Sequence, residues 1–347
     1  MSSLRVLRRR VALALMFRVS RIRRSRSVRL LRHTMLRLRS SFQDFDVAVF
    51  HDFVPPPSGG GHQFLRTLIG EFERRGLKVE INTISRSTVA CLFNSFNYDA
   101  ERLQALRRPT CRLVHRVDGP VGIYRGHDDG TDAAIEAANA AFADATVFQS
   151  EYSAAAHRDL GLTFQYPTII HNASDPQLFF PAEGIGTRMS PAGRLRLIAS
   201  AWSDNPNKGL ETFRWLDANL DWERFEMTFV GRVQEVFVNI EMAPPVDQHE
   251  LAALLRSHHV YVCASRHEPC SNALIEALSC GLPALYLESG SNGELVGRGG
   301  LGFATPEDIP GALEQLSQQY DRFRGAVAPP TIGDVADRYL EVLGITP

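Results

Sequence analysis

Glu268-Pro269-Cys270-Ser271-Asn272-Ala273-Leu274-Ile275-Glu276, continuing Ala277-Leu278-Ser279-Cys280-Gly281-Leu282-Pro283, is the stretch on which the fold of this chain turns. Just upstream, Val260 to Cys263 reads as a buried strand that ends near Ala264. A loop holds Glu268, and a helix begins near Ser271 or Asn272, both good capping residues. That helix runs to about Ser279, and Pro283 to Leu287 reads as the next strand. Strand, loop, helix, Gly-x-Pro and strand together make a βαβ unit, which implies a parallel sheet with covering helices.

The same stretch carries chemistry. The free N–H groups of a helix's first turn, with the helix dipole behind them, form an anion site suited to a diphosphate. Ser271, Asn272 and Ala273 occupy that turn. Glu276 lies one turn further in, where a carboxylate accepts hydrogen bonds from ribose hydroxyls, and Glu268 precedes the helix, within reach of sugar hydroxyls. Two solvated glutamates on an ordinary loop and helix is the plainer account of an E-x7-E spacing. The strand–loop–helix–Gly-x-Pro setting favours the functional one.

Working outward, the alternation continues in both directions. Towards the N-terminus, Val47 to Phe50 is a strand, Asp52 to Gly61 a loop rich in Pro and Gly, and Gln63 to Arg75 a helix closed by Gly76. Leu77 to Ile84, Arg112 to Val117, Ala145 to Gln149 and Tyr166 to Ile170 read as strands, with helices at Thr131 to Ala143 and Ser153 to Leu160. A second series starts with strands at Leu195 to Ala201 and Glu226 to Val230, followed by a helix at His249 to Arg256. The expected organisation is a basic leader (1–43), an N-terminal Rossmann-like domain (44–173), a linker (174–193), a C-terminal Rossmann-like domain (194–330) and a C-terminal helix (331–347). The fold class is α/β, with two parallel sheets facing a central cleft.

A length of 347 residues suits about two domains. The net charge of −1 conceals an asymmetry: residues 1–43 hold thirteen arginines and no acidic residue, while the remainder, with 25 basic and 39 acidic residues, is net −14. An odd set of five cysteines (Cys91, Cys111, Cys263, Cys270, Cys280) without a CxxC argues against a disulfide framework and for a reducing compartment. No run reaches the ~18 apolar residues of a membrane span. The expected location is cytoplasmic. The leader is compatible with a basic amphipathic helix on anionic lipid at the membrane's cytoplasmic face, an organellar transit peptide, or an extension ahead of a true start at Met35. No aromatic platform accompanies its arginines, so nucleic acid is not an expected partner.

With these residues in place, the chain resembles the retaining GT-B glycosyltransferases of family 4, whose signature is E-x7-E. Ile169-Ile170-His171-Asn172-Ala173-Ser174-Asp175 followed by Phe180-Pro181 is similar to the family's interdomain junction. Asn207-Lys208-Gly209 is similar to its donor lysine, Phe229-Val230-Gly231 to a strand end, and Gly59-Gly60-Gly61 to its glycine loop. The resemblance implies a hexosyltransferase-type enzyme of polysaccharide biosynthesis. It would move a sugar, with retention, from a nucleoside-diphosphate sugar to a glycan, lipid-linked or other acceptor. It implies no cofactor and no metal.

Residue by residue, Lys208 would oppose charge building on the departing phosphate, and Gly60 and Gly61 would let backbone N–H groups approach the ligand. The donor set is then Gly60, Gly61, Lys208, Ser271, Asn272, Ala273 and Glu276, with His115, Asp118, Lys208 and Glu268 as catalytic candidates. His115 is the nearest match to a histidine that contacts the transferred sugar; Asp118 is the alternative, orienting or deprotonating the acceptor hydroxyl. The family's arginine before the lysine is absent: Trp202 and Ser203 stand there, and Arg232 and Arg266 are the substitutes at hand.

Three other readings fare less well. G-x-G-x-x-G fails at Phe64, against nicotinamide binding. His258, His259, Cys263, His267 and Cys270 read as structural rather than zinc-binding, and Asp128-Asp129 as solvated. A nucleotide-sugar 2-epimerase or a non-catalytic nucleotide-sugar-binding protein shares the architecture and remains open.

Overall fold

The computed structural model describes residues 44–54, 60–182, 193–201, 205–233 and 235–346. The leader, Gly59, positions 202 and 203 and half of the expected linker lie outside them. The first sheet is built from β1 (Val47–Phe50), β2 (Val79–Ile81), β3 (Ala90–Asn94), β4 (Arg112–Val117), β5 (Ala145–Phe148) and β6 (Pro167–Ile169). Its helices are α1 (Gly60–Arg74), α2 (Ala100–Leu106), α3 (Val121–Arg125), α4 (Thr131–Phe142) and α5 (Glu151–Asp159). The second sheet contains β7 (Leu195–Ala201), β8 (Phe225–Gly231), β9 (Glu241–Ala243), β10 (Val260–Cys263), β11 (Ala284–Leu287) and β12 (Gly300–Phe303). With it go α6 (Leu210–Asn219), α7 (Gln248–Ser257), α8 (Asn272–Ser279), α9 (Asn292–Val296), α10 (Ile309–Gln318) and α11 (Tyr320–Gly325), before α12 (Ile332–Leu343) closes the chain.

Both sheets are six-stranded, in the orders β2-β1-β3-β4-β5-β6 and β12-β11-β10-β7-β8-β9. Every pairing is parallel. The order reverses between β1 and β3 in one sheet and between β7 and β10 in the other, and open parallel sheets bind ligands outside the strands' carboxyl ends at such reversals. Strands covered by helices on both faces must be apolar throughout, and β1, β3 and β10 are buried at every position.

Several elements depart from the sequence expectation. The strand expected over Leu77 to Ile84 shrinks to three residues because Asn82 turns left-handed (φ 53°) and its side chain bonds the backbone of His51 instead. β3, β9, β12, α2, α3, α6, α9, α10 and α11 were not anticipated from the sequence. Helix α12 follows the second sheet in the chain but packs on the first. Ile332, Val335, Ala336, Tyr339, Leu340 and Leu343 join the core formed by β1, α1 and β3. Each of the Ile, Val and Leu side chains among them, taken from water, contributes about 1.5–3 kcal/mol. Arg75, just past the end of α1, anchors the helix through Asp337 and the Gly333 carbonyl.

Candidate functional site

On the second sheet, the turn after β7 presents Lys208. Asn205 caps this turn by accepting from the Asn207 N–H at 2.8 Å. Gly209 follows at φ 78°, where a Cβ would stand 2.2 Å from the Ala264 carbonyl oxygen. Only glycine meets both demands, so the lysine turn lies flush against the end of β10. There Lys208 Nζ pairs with the Glu268 carboxylate. Burial alone would lower the ammonium's pKa, but Glu268 and Tyr124 outweigh it and hold the group raised and charged. Glu268 is itself held from behind: its carbonyl accepts from Ser291 N–H at 2.9 Å, and Gly290 packs against its backbone.

Helix α8 starts where the sequence places it. The Ser271 side chain caps it by accepting from the Leu274 N–H at 3.4 Å. Glu276 is buried one turn along, and desolvation pushes its pKa up to about 8. The carboxyl lines a narrow cavity with Gln63, Thr67, Asp175, Gln248 and Asn272. A cleft of about 840 Å³ adjoins it, sharing Gln63, Thr67, Asp175 and Gln248 and extending to Arg74 and Val246.

From the first sheet, α1 brings Gly60 directly onto α8: a Cβ at Gly60 would stand 2.2 Å from Asn272 Nδ2. Gly61 has open space around it. Asp118, just past β4, is partly exposed; its Oδ1 accepts from Arg116 Nη1 at 2.9 Å and from Gln149.

His115 does not reach the cleft. It lies fully buried, stacked on Phe93 at 4.2 Å, with Nδ1 3.2 Å from Asn139 Nδ2 and Nε2 3.3 Å from the Ser95 carbonyl. Burial depresses its pKa to about 3, so it is a neutral core residue. Successive strand residues point to opposite faces, and β4 turns Arg116, not His115, towards the junction of the two sheets.

Arg116 was not anticipated. It is fully buried, with Nη1 donating to Asn94 and Asp118 and Nη2 to Asn172, and it lies 4.9 Å over the Phe64 ring. A buried charge needs such compensation. Asn172 passes the network on, donating to Gln149 at 2.9 Å and to Asn272 at 3.1 Å. His51 and His62 were likewise missed. They adjoin at 2.7 Å between the end of β1 and the start of α1; their only signal was position, one after a buried strand and one after the glycines.

The two sheets also meet through Asn207, which donates to the Tyr124 carbonyl at 2.6 Å. Glu294 accepts from the Glu151 N–H at 2.9 Å, caps α5 and pairs with His171 at 2.6 Å.

Of the substitute cations, Arg266 donates its N–H to the Asn207 carbonyl at 2.7 Å while its guanidinium pairs with Glu211, and Arg232 is exposed past β8. His258 bonds the Leu254 carbonyl and Thr228, and His259 accepts from the Arg196 N–H, as framework groups. All five cysteines are buried and unpaired. No cluster of three or more His, Cys, Asp or Glu occurs among the described residues in metal-holding geometry. Nor is any helix among them long and apolar enough to cross a membrane.

Residues 209–319 match the family model described as glycosyl transferases group 1, which takes in Glu268 and Glu276 and begins one residue after Lys208. No curated protein matches the chain by sequence. Among solved structures, the chain is similar to sucrose-phosphate synthase from Thermosynechococcus elongatus (TM-score 0.64, 14% identity, 87% of this chain and 95% of that one). It is similar to HepE from Anabaena in complex with UDP (0.65, 13%, 86% and 100%). It is also similar to the catalytic domain of starch synthase IV from Arabidopsis thaliana bound to ADP and acarbose (0.66, 12%, 87% and 99%). The fold, two six-stranded parallel α/β sheets, is that of the GT-B glycosyltransferases.

Proposed function

We propose that this protein transfers a sugar from a nucleoside-diphosphate sugar to a glycan, lipid-linked or related acceptor, with retention, as a family 4 enzyme. The observation that carries the reading is convergence. Lys208 and Glu268 from two loops of the second sheet, the capped start of α8 and the Gly60 turn of the first sheet all meet where the parallel strands end. The match to glycosyl transferases group 1 supports it, as do UDP and ADP in structurally similar proteins.

In this reading the diphosphate rests on the N–H groups of Ser271, Asn272 and Ala273, and Lys208 opposes the charge that grows on it as the glycosidic bond breaks. These two sources of positive potential serve without calling on a metal. Glu268 orients both Lys208 and the sugar hydroxyls, Glu276 accepts from the ribose, and Asp118 orients or deprotonates the acceptor hydroxyl. Attachment to the cytoplasmic face of an anionic membrane through residues 1–43 belongs to the same proposal.

A thermal-shift panel of UDP-, ADP- and GDP-sugars, followed by turnover of the hit with and without oligosaccharide or polyprenyl-phosphate-sugar acceptors, tests it. A transferase needs acceptor. Turnover of donor to its epimer in acceptor's absence means an isomerase, and binding without turnover in either condition means a binding protein.

A further inference from the structure

The His51–His62 pair is not explained by the roles above. His51 is fixed by Asn82, whose side chain accepts from the His51 N–H and donates to its carbonyl, both at 2.9 Å. Its ring stands edge-on to Phe53 at 4.7 Å, and its Nε2 lies 2.7 Å from His62 Nδ1. The remaining ring nitrogen, His51 Nδ1, is buried without a partner. Burial lowers both imidazoles' pKa values, that of His51 to about 4, so near neutral pH each ring carries one proton.

Two arrangements satisfy the short contact. If His62 Nδ1–H donates, His51 must hold its own proton on Nδ1, as a buried N–H with no acceptor. If His51 Nε2–H donates, the atom left over on His51 is only a lone pair. Orphaned buried donors are the rarer and costlier defect, so the second arrangement holds. His62, accepting at Nδ1, then carries its proton on Nε2.

His62 sits in the first turn of α1, two residues beyond the Gly60 that abuts Asn272. Its ring is partly exposed, and Asp118 lies in the same corner: Arg116, bonded to Asp118 at 2.9 Å, stands 4.9 Å over the ring of Phe64, two residues further along α1. Arg116 and Gln149 both bond Asp118 Oδ1, which leaves Oδ2 for a ligand.

We propose that His62, set by His51 as the Nε2–H tautomer, acts with the Asp118 carboxylate as a donor–acceptor pair that binds a hydroxyl of the donor's sugar, giving Asp118 this contact in place of the acceptor contact above. The assignment to sugar rests on the glycosyltransferase reading. A hydroxyl donates to a carboxylate and accepts from an N–H at once, whereas a phosphate oxygen beside Asp118 would meet like charge.

Long-range proton–nitrogen spectra of protein labelled with ¹⁵N-histidine test the tautomer without any ligand. Both rings are expected to be protonated on Nε2; a His62 protonated on Nδ1 overturns the proposal whatever the donor. Calorimetry with UDP and UDP-glucose, with the ADP and GDP pairs alongside, tests the contact. His62→Ala and His62→Asn should weaken nucleotide-sugar binding roughly three- to tenfold and leave the free diphosphate unaffected. His62→Gln, which returns an N–H near the Nε2 position, should restore most of the loss. Equal weakening of diphosphate and sugar nucleotide, or no rescue by glutamine, refutes the role. If no nucleotide binds even the unmutated protein, the glycosyltransferase reading fails, and the spectra still decide the tautomer.

Discussion

Glu276→Gln separates what the buried carboxyl does to the fold from what it does for a nucleotide. The group titrates near 8 in the folded protein against an ordinary value of 4.5, and desolvation is the cause. A carboxyl with a raised folded pKa binds its proton more tightly in the native state than in the unfolded chain. The native protein therefore suffers no penalty below about pH 4.5, loses stability as pH rises from there, and reaches its full loss near pH 8. At about 1.4 kcal/mol per pH unit, the loss is about 3 kcal/mol at pH 7, as an order of magnitude. Glutamine has nearly the same shape and no charge to desolvate. Urea unfolding at pH 5, 6, 7 and 8 should show the variant gaining on the parent protein steadily with pH. Bound nucleotide should invert the effect, since ribose hydroxyls donating to the carboxylate favour its charged form. Binding should thus release a proton, visible as a calorimetric enthalpy that depends on the buffer's ionisation heat. A constant stability offset from pH 5 to 8, together with buffer-independent binding heat, would refute the reasoning. Glu276→Ala, which removes the acceptor altogether, should weaken nucleotide affinity about ten- to hundredfold, the worth of a hydrogen bond to a charged group.

Lys208→Ala should lower kcat more than it raises KM, because the charge it opposes grows towards the transition state; steady-state kinetics with a raised KM and unchanged kcat would make it a simple binding residue. Gly60→Ala drives a methyl into Asn272 and strains its bond to Asn172, so nucleotide-sugar affinity should fall about tenfold. Gly311→Ala, in α10 with open space around it, is the paired control in the same titration and should leave nucleotide-sugar affinity unchanged. Deleting residues 1–40 should leave far-UV circular dichroism and nucleotide affinity intact while abolishing salt-sensitive co-sedimentation with phosphatidylserine vesicles. Each arginine near such a surface contributes about 1 kcal/mol. Equal sedimentation of the two proteins would sink the membrane reading.

Much of this molecule was legible before any coordinates, where the signal is local. β1, β4, β7 and β10 are runs of apolar or alternating residues between polar breaks, and the start of α8 is marked by a capping serine that acts on its own neighbours. The E-x7-E segment belongs to the same class: strand, cap and helix lie within twenty residues, so the potential at the helix start follows from sequence order. β3 escaped because Ala90-Cys-Leu-Phe-Asn94 is short and shows no period. α12 was visible as a helix, but its attachment to the first sheet depends on contacts with residues some 270 positions earlier.

The site divides the same way. Lys208 and Glu268 stand sixty residues apart, and only the fold makes them an ion pair. His115 and Arg116 are adjacent in a strand buried on both faces, where hydrophobic alternation, the usual guide to facing, is erased. Which of them faces the junction of the two sheets was decided by Asn94 and Asn172, drawn from two other segments, which with the neighbouring Asp118 compensate a buried guanidinium. The reach of a periodic pattern is a turn or two of chain; the pairing of charges and the proton on an imidazole depend on what lies across space, and only the tertiary structure supplies that.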